Sequence, residues 1–220
     1  MPLTPMSHPL LIFDWDGTLV DSIGRIVDCF EKTYALLNLV TPPLPKIRQT
    51  IGLPLKEGFR QLEVGLESPG LTVLAETYRD IWLDPQLAPS PLFPGVRTLL
   101  THLRDAGHIL AVATGKSRVG LDRESRAHKV DHLFATSVCG DETHPKPSPD
   151  MLLEILRKTG ITPAQALLFG DSPLDLAMAN NAQIQAVGVL TGAGDRSSLA
   201  AYHPLTFLDH VGQLRKLLLT

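Results

Sequence analysis

The stretch Leu10-Leu11-Ile12-Phe13-Asp14-Trp15-Asp16-Gly17-Thr18-Leu19-Val20 sets a short apolar run against two carboxylates two positions apart, with a glycine directly after them. A strand turns successive side chains to opposite faces, so Asp14 and Asp16 point one way and Trp15 the other. Two acids that close repel each other unless something intervenes. A divalent cation can hold the first ionised and a nearby anion can keep the second protonated, so one pair can supply both a nucleophile and a general acid. Asp and Gly are also ordinary turn formers at a strand end, and this segment alone leaves both readings open.

Working outward, the 220 residues are 44% apolar, enough for one globular unit or a core carrying an inserted subdomain. A formal net charge of -3 gives no bulk electrostatic reason to bind nucleic acid or an anionic membrane. Any bound anion must be held locally. The first nine residues carry no basic cluster, and the apolar run after them is too short for a signal core or a spanning helix, so a cytoplasmic protein is expected. Cys29 and Cys139 have no ligand-like spacing and are expected as buried free thiols.

From residue 95 onward, short apolar runs alternate with helical stripes, the pattern of a parallel sheet buried between helices. Val96, Leu99, Leu100 and Leu103 form one stripe, which ends near Gly107 and is followed by the strand-like run 109–113. The alternation repeats through 134–138, 151–156, 166–169, 174–179 and 184–190. The pattern predicts an α/β fold. Between residues 22 and about 84 it is interrupted by helical stripes at 23–39 and 71–83 without a convincing strand, so this region reads as a helical insert. Pro42, Pro43 and Pro45 read as a turn within it, and the proline-rich run 84–95 as a stiff return.

Three further strand ends carry candidate chemistry. Thr114-Gly115-Lys116-Ser117 follows the run 109–113 and offers a hydroxyl and free N–H groups to an oxyanion, although a plain N-cap accounts for it equally well. A nucleotide-binding P-loop would need glycine at position 110, which is Leu110. Lys146, between Pro145 and Pro147, could neutralise a phosphate as a point cation; by itself it reads as a surface charge. In Gly170-Asp171-Ser172-Pro173-Leu174-Asp175, Ser172 and Asp175 suit a variant capping box, whereas Asp171 has no such local role. It stands at a strand's carboxyl end, where open α/β sheets place their ligand-binding groups. Asp14 and Asp171 can supply hard oxygen ligands to Mg²⁺, with Thr114 and Lys146 left for phosphate oxygens.

Taken in order, Asp14-Trp-Asp16-Gly-Thr-Leu, Thr114-Gly-Lys-Ser, Lys146-Pro and Gly170-Asp171-Ser-Pro-Leu-Asp175 resemble the four motifs of the haloacid dehalogenase-like hydrolases. The chain is most similar to the phosphoglycolate phosphatase-like group, and Phe93-Pro94-Gly95-Val96 resembles that group's return from cap to core. The resemblance implies a Rossmann-like parallel sheet core with helices on both faces, formed by residues 1–17 and 89–220, and an inserted helical cap at 18–88. It further implies a Mg²⁺-dependent phosphatase acting on a small phosphorylated metabolite. Asp14 would attack phosphorus and Asp16 would act as general acid and then base. Thr114, Gly115 and Lys146 would bind the phosphoryl group. Asp14, the Asp16 carbonyl and Asp171 would hold the metal, supported by Asp175 and Ser172.

The second acid argues for phosphate chemistry over dehalogenation, because a dehalogenase has no leaving alkoxide to protonate. A phosphomutase, a pyrophosphatase of the same superfamily, or a binding protein without turnover are the alternatives. Arg48 and Lys56, read as one inter-helix turn, are candidates for pairing with a second anionic group on the substrate. Arg118, Arg123 and Arg126 read as a solvated face, and His128 and His132 as surface histidines. A monomer or a homodimer is expected.

Overall fold

The computed structural model describes residues 7–63 and 68–214, so the extreme ends of the expected core and residues 64–67 of the insert lie outside it. Strand β1 (Leu10–Phe13) has all four side chains buried, as its unbroken apolar run requires of a strand covered on both faces. It pairs in parallel with β2 (Ile109–Thr114) on one side and β4 (Ala166–Gly170) on the other. With β3 (Thr136–Cys139), β5 (Gln185–Val189) and β6 (Phe207–Leu208), the order is β3-β2-β1-β4-β5-β6, parallel throughout.

The period of two along the strands divides the core. Leu11, Phe13, Leu110, Val112, Leu167 and Phe169 face the helices α5 (Val96–Asp105) and α6 (Arg118–Ala127). Leu10, Ile12, Ala111, Ala113 and Leu168 face α7 (Asp150–Thr159), α8 (Pro173–Asn181) and α9 (Arg196–Ala200). This is the Rossmann-like α/β fold, with helices on both sheet faces, and its chain order reverses beside β1, where such sheets open a ligand crevice.

Between β1 and α5 the described residues hold four helices and no named strand: α1 (Ile23–Leu36), α2 (Leu44–Thr50), α3 (Leu55–Leu62) and α4 (Ser68–Trp82). They share an apolar cluster of their own, in which Phe30 and Phe59 lie 4.8 Å apart, Phe30 and Tyr78 5.1 Å, and Tyr78 stacks on Trp82 at 6.0 Å. The segments entering and leaving this insert run side by side, Asp21 N–H donating to the Pro91 carbonyl and Phe93 N–H to that of Leu19.

The structure corrects several local expectations. β1 stops at Phe13, so both acids sit in the loop beyond it rather than on the strand. β3 begins at Thr136 rather than 134. Pro45 lies in the first turn of α2, where a missing N–H costs nothing. Arg48 lies in α2 and Lys56 in α3, which confines the turn between them to residues 51–54. Arg118 and Arg123 are not a solvated face: Arg118 bonds Glu142 and Ser137, and Arg123 donates to the carbonyls of Trp82 and Asp84. His128 is half-buried, its Nε2 2.8 Å from the Ser90 carbonyl, so α6 clasps the proline-rich return. Cys29 and Cys139 are buried and free. Among the described residues, no helix is long and apolar enough to cross a membrane.

Candidate active site

Four of the six parallel strands, β1 to β4, carry a candidate group at or beyond their carboxyl ends: Asp14, Thr114, Lys146 and Asp171. The Asp14 N–H donates to the Phe169 carbonyl, which fixes the start of the loop after β1 against β4. Asp14 is 3% exposed, and Lys146, reaching in from the loop after β3, is 1% exposed. That burial overturns the reading of Lys146 as a surface charge, and its cause is pairing. The Lys146 ammonium donates to Asp14 Oδ1 at 2.7 Å and to Asp175 Oδ1 at 2.6 Å.

Asp175 performs the capping role expected of it, accepting from the Ser172 N–H at 3.1 Å while its own N–H reaches the Ser172 hydroxyl. It therefore serves helix start and site together. Asp171 accepts from the Thr18 hydroxyl at 2.7 Å and the Ala193 N–H at 2.8 Å. The backbone around it must be bare: a Cβ on Gly17, whose φ is +82°, would stand 2.6 Å from Asp171 Oδ2, and one on Gly192 1.7 Å from it. Carboxylate oxygens of Asp14, Asp171 and Asp175 lie within 4.8 Å of one another, all buried.

Three acids face a single ammonium in this space. Burial, reinforced by repulsion from Asp175 and only partly offset by Lys146, raises the Asp14 carboxyl well above its usual range. Burial and the same repulsion push Asp171 up to about 7, against the opposing N–H and hydroxyl donors. Burial alone would lower Lys146, but attraction from Asp14 and Asp175 outweighs it and keeps the amine charged. The surplus of buried negative charge, on hard oxygen donors, suits a small divalent cation such as Mg²⁺.

This surplus has a measurable consequence without metal. Near neutral pH the folded chain retains protons on Asp14 and Asp171 that the unfolded chain has released, so stability falls as pH rises. His108, lowered chiefly by burial, acts oppositely, but only below its ordinary value of 6.5. Chelator-treated protein is therefore expected to have a lower urea midpoint at about pH 8 than at pH 6.5, and added Mg²⁺ to raise the midpoint more at the higher pH. A midpoint that rises with pH would remove the argument.

A second cluster surrounds Asp16, which accepts from the Ser22 hydroxyl at 2.6 Å and pairs with Lys116 at 3.2 Å. Lys116 also lies 3.5 Å from Glu124 and 4.2 Å from the centre of the Trp82 ring on α4. Glu124 in turn accepts from the Trp15 indole at 2.7 Å. Burial works to lower the Lys116 amine, but Asp16 and Glu124 hold it above its ordinary value. Nothing in the sequence marks Lys116, Glu124 and Trp82 as members of one cluster. In the sequence Lys116 stands inside the Thr114-Gly115-Lys116-Ser117 motif with no role of its own.

Asp14, Asp16, Thr114, Gly115 and Lys116 border a cavity of about 520 Å³ whose opposite wall belongs to the insert. Here insert and core touch closely, since a Cβ on Gly115 would lie 2.3 Å from the Gly52 carbonyl. Lys56 borders this cavity, exposed and donating to Thr72 at 3.2 Å. Arg48 does not: it is exposed on α2, which reaches the cavity only through its last residue, Thr50, before the 51–54 turn descends onto the core.

The family of haloacid dehalogenase-like hydrolases matches residues 11–189, and the chain belongs to it. The chain is 35% identical over 205 residues to "Probable phosphatase IndB" of Dickeya dadantii, covering 91% of this chain and 89% of that one. It is 31% identical to the "Phosphoglycolate phosphatase" of Pseudomonas putida, over 93% of this chain and 78% of that protein. A crystal structure described as a haloacid dehalogenase-like hydrolase from Bacteroides fragilis superposes with a TM-score of 0.88 at 29% identity, covering 94% and 99% of the two chains. Within the family the chain falls with the phosphoglycolate phosphatase-like group and is a phosphatase acting on a small phosphorylated compound.

Proposed function

We propose that this chain hydrolyses a small phosphomonoester through an aspartyl-phosphate on Asp14, with Mg²⁺ as cofactor. The observation that carries the reading is the buried set of Asp14, Lys146, Asp171 and Asp175 gathered beyond the carboxyl edge of the sheet, of which Asp14 borders the cavity together with Asp16 and Thr114. Asp14, Asp171 and the Asp16 carbonyl would hold the ion, with Asp175 and Ser172 in support. When bound, Mg²⁺ opposes the charge on the phosphoryl oxygens.

An Asp14 carboxylate oxygen forms a bond to phosphorus as the bond from phosphorus to the alcohol oxygen breaks, and Asp16 gives its proton to that oxygen. Asp16, now ionised, takes a proton from water as that water attacks phosphorus, which returns Asp14 as a carboxylate and frees phosphate. The Thr114 hydroxyl, the Gly115 N–H and the Lys146 ammonium bind the transferring oxygens, which is where positioning and charge neutralisation count most in phosphoryl transfer. Lys116 and Ser22 position Asp16. Because Lys116 also meets Trp82, the insert's seating bears on the acid–base group. Residues 18–88 thereby serve as a cap that shields the site from bulk water, and residues 1–17 with 89–220 as the catalytic core.

The test uses p-nitrophenyl phosphate, whose phenolate leaves without a proton. Wild-type protein is expected to turn it over with Mg²⁺ and to stop when the metal is chelated. Asp16→Asn should release about one equivalent of p-nitrophenolate per site in a burst and then stall, because the second displacement lacks its base. A phosphomutase would show the burst but little hydrolysis in the wild type. Absence of any turnover or burst would favour a binding protein.

A further inference from the structure

The cavity wall facing Asp14 and Asp16 is built for something other than a small dianion. Ile26, Phe30, Ile51, Tyr78 and Trp82 line it from the insert, each of them less than a tenth exposed, and Val119 lines it from α6. Tyr78 stacks on Trp82 with their planes 9° apart, and Trp82 is itself covered by Lys116 at 4.2 Å and Arg25 at 4.6 Å, which leaves Tyr78, Phe30, Ile26 and Ile51 as the uncharged apolar wall. Burial above all holds the Tyr78 phenol far above its usual range, and hence neutral.

The charges bordering the cavity point the same way. Three cations do so among the described residues: Lys56, Arg79 and Lys116. Lys116 is committed to Asp16 and Glu124, while Lys56 and Arg79 are exposed to solvent. None is a buried, unpaired partner for a carboxylate on the substrate. Moving such a carboxylate from water to an aromatic wall without a partner is strongly unfavourable. The volume of about 520 Å³ lies within the roughly 300–1,000 Å³ typical of sites for larger organic ligands.

We infer that the cap selects phosphate esters of uncharged alcohols bearing a planar apolar group, and disfavours carboxylated esters such as phosphoglycolate. This inference rests on the phosphatase reading above. The ester's phosphoryl group meets Asp14, Thr114 and Lys146, and its ring lies against Tyr78, Phe30 and Ile51. Apolar contact so far from phosphorus can raise kcat as well as lower KM, since binding energy there holds the ester in line with Asp14.

Two esters of primary alcohols, 2-phenylethyl phosphate and phosphoglycolate, keep the bond being broken comparable while changing what the alcohol carries. The full-length protein with Mg²⁺ is expected to show a kcat/KM at least tenfold higher for 2-phenylethyl phosphate. Val119, 64% exposed, can be replaced without disturbing either core. Val119→Lys should move the ratio at least tenfold toward phosphoglycolate by supplying the missing cation. A wild-type ratio below ten, or turnover of neither ester while p-nitrophenyl phosphate is still hydrolysed, overturns the inference and leaves the phosphatase reading standing. If p-nitrophenyl phosphate also fails, the phosphatase reading itself falls.

Discussion

Asp14→Asn is expected to lower kcat/KM for p-nitrophenyl phosphate by at least about 10⁴-fold, a loss of the size seen when a covalent nucleophile is removed from its working unit. The substitution keeps the side chain's shape, and the amide oxygen can still accept from Lys146, whose ammonium lies 2.7 Å from Asp14 Oδ1 in the native chain. What it removes is a charge that the fold holds at a cost. Burial and Asp175 raise the Asp14 carboxyl well above its usual range, so its ionised form destabilises the metal-free protein near neutral pH. Asp14→Asn should therefore be at least as stable as the wild type to urea at about pH 8 without metal, even as activity disappears. That pairing of outcomes separates loss of chemistry from loss of fold. Activity within tenfold of wild type would discard Asp14 as nucleophile.

The two properties respond oppositely because the acids were selected for place and chemistry, and this is also what made them legible. Asp14, Thr114 and Asp171 each close or directly follow an apolar run that reads as a buried strand, and a parallel sheet brings the ends of such strands together; Lys146, seven residues beyond the half-polar β3, is legible only through its place in the motif order. Asp175 was readable for a local reason, the capping box with Ser172, which says nothing of its second bond to Lys146. The Asp16 cluster was not readable. Lys116 lies just before a helix whose apolar stripe is weak, and Glu124 stands among charged neighbours that suggest solvent. Their burial depends on α6 packing beneath the loop after β1, and on Trp82 arriving from an insert more than thirty residues away in the chain. Arg123 was misread for the same reason: its partners are backbone carbonyls at 82 and 84, which carry no mark in the sequence.

Lys146→Met should produce the larger structural effect. Both side chains have similar length, so the change creates no large cavity, but it removes the one ammonium set between Asp14 and Asp175. Breaking a buried ion pair from one side costs roughly 3–5 kcal/mol, because the charge left behind has neither water nor partner. The Asp14 and Asp171 carboxyls, which burial raises and Lys146 partly holds down, can escape part of that cost by staying protonated, which they do more readily as pH falls. Without Lys146 they ionise still later in the folded state, while in the unfolded chain they ionise at their usual values. The folded variant then holds more excess protons than the wild type across neutral pH, and its stability must fall more steeply as pH rises. Urea titrations of metal-free protein should accordingly show a deficit against wild type that is larger at about pH 8 than at pH 6. Mg²⁺ should recover more stability in the variant than in the wild type, since it replaces the lost positive charge, yet kcat should stay down by about 10²–10³, the usual loss when one donor to a developing oxyanion is removed. A deficit independent of pH would mean that Lys146 stabilises the fold by packing alone. In that case the balance of charge around Asp14 would not be what holds this site together.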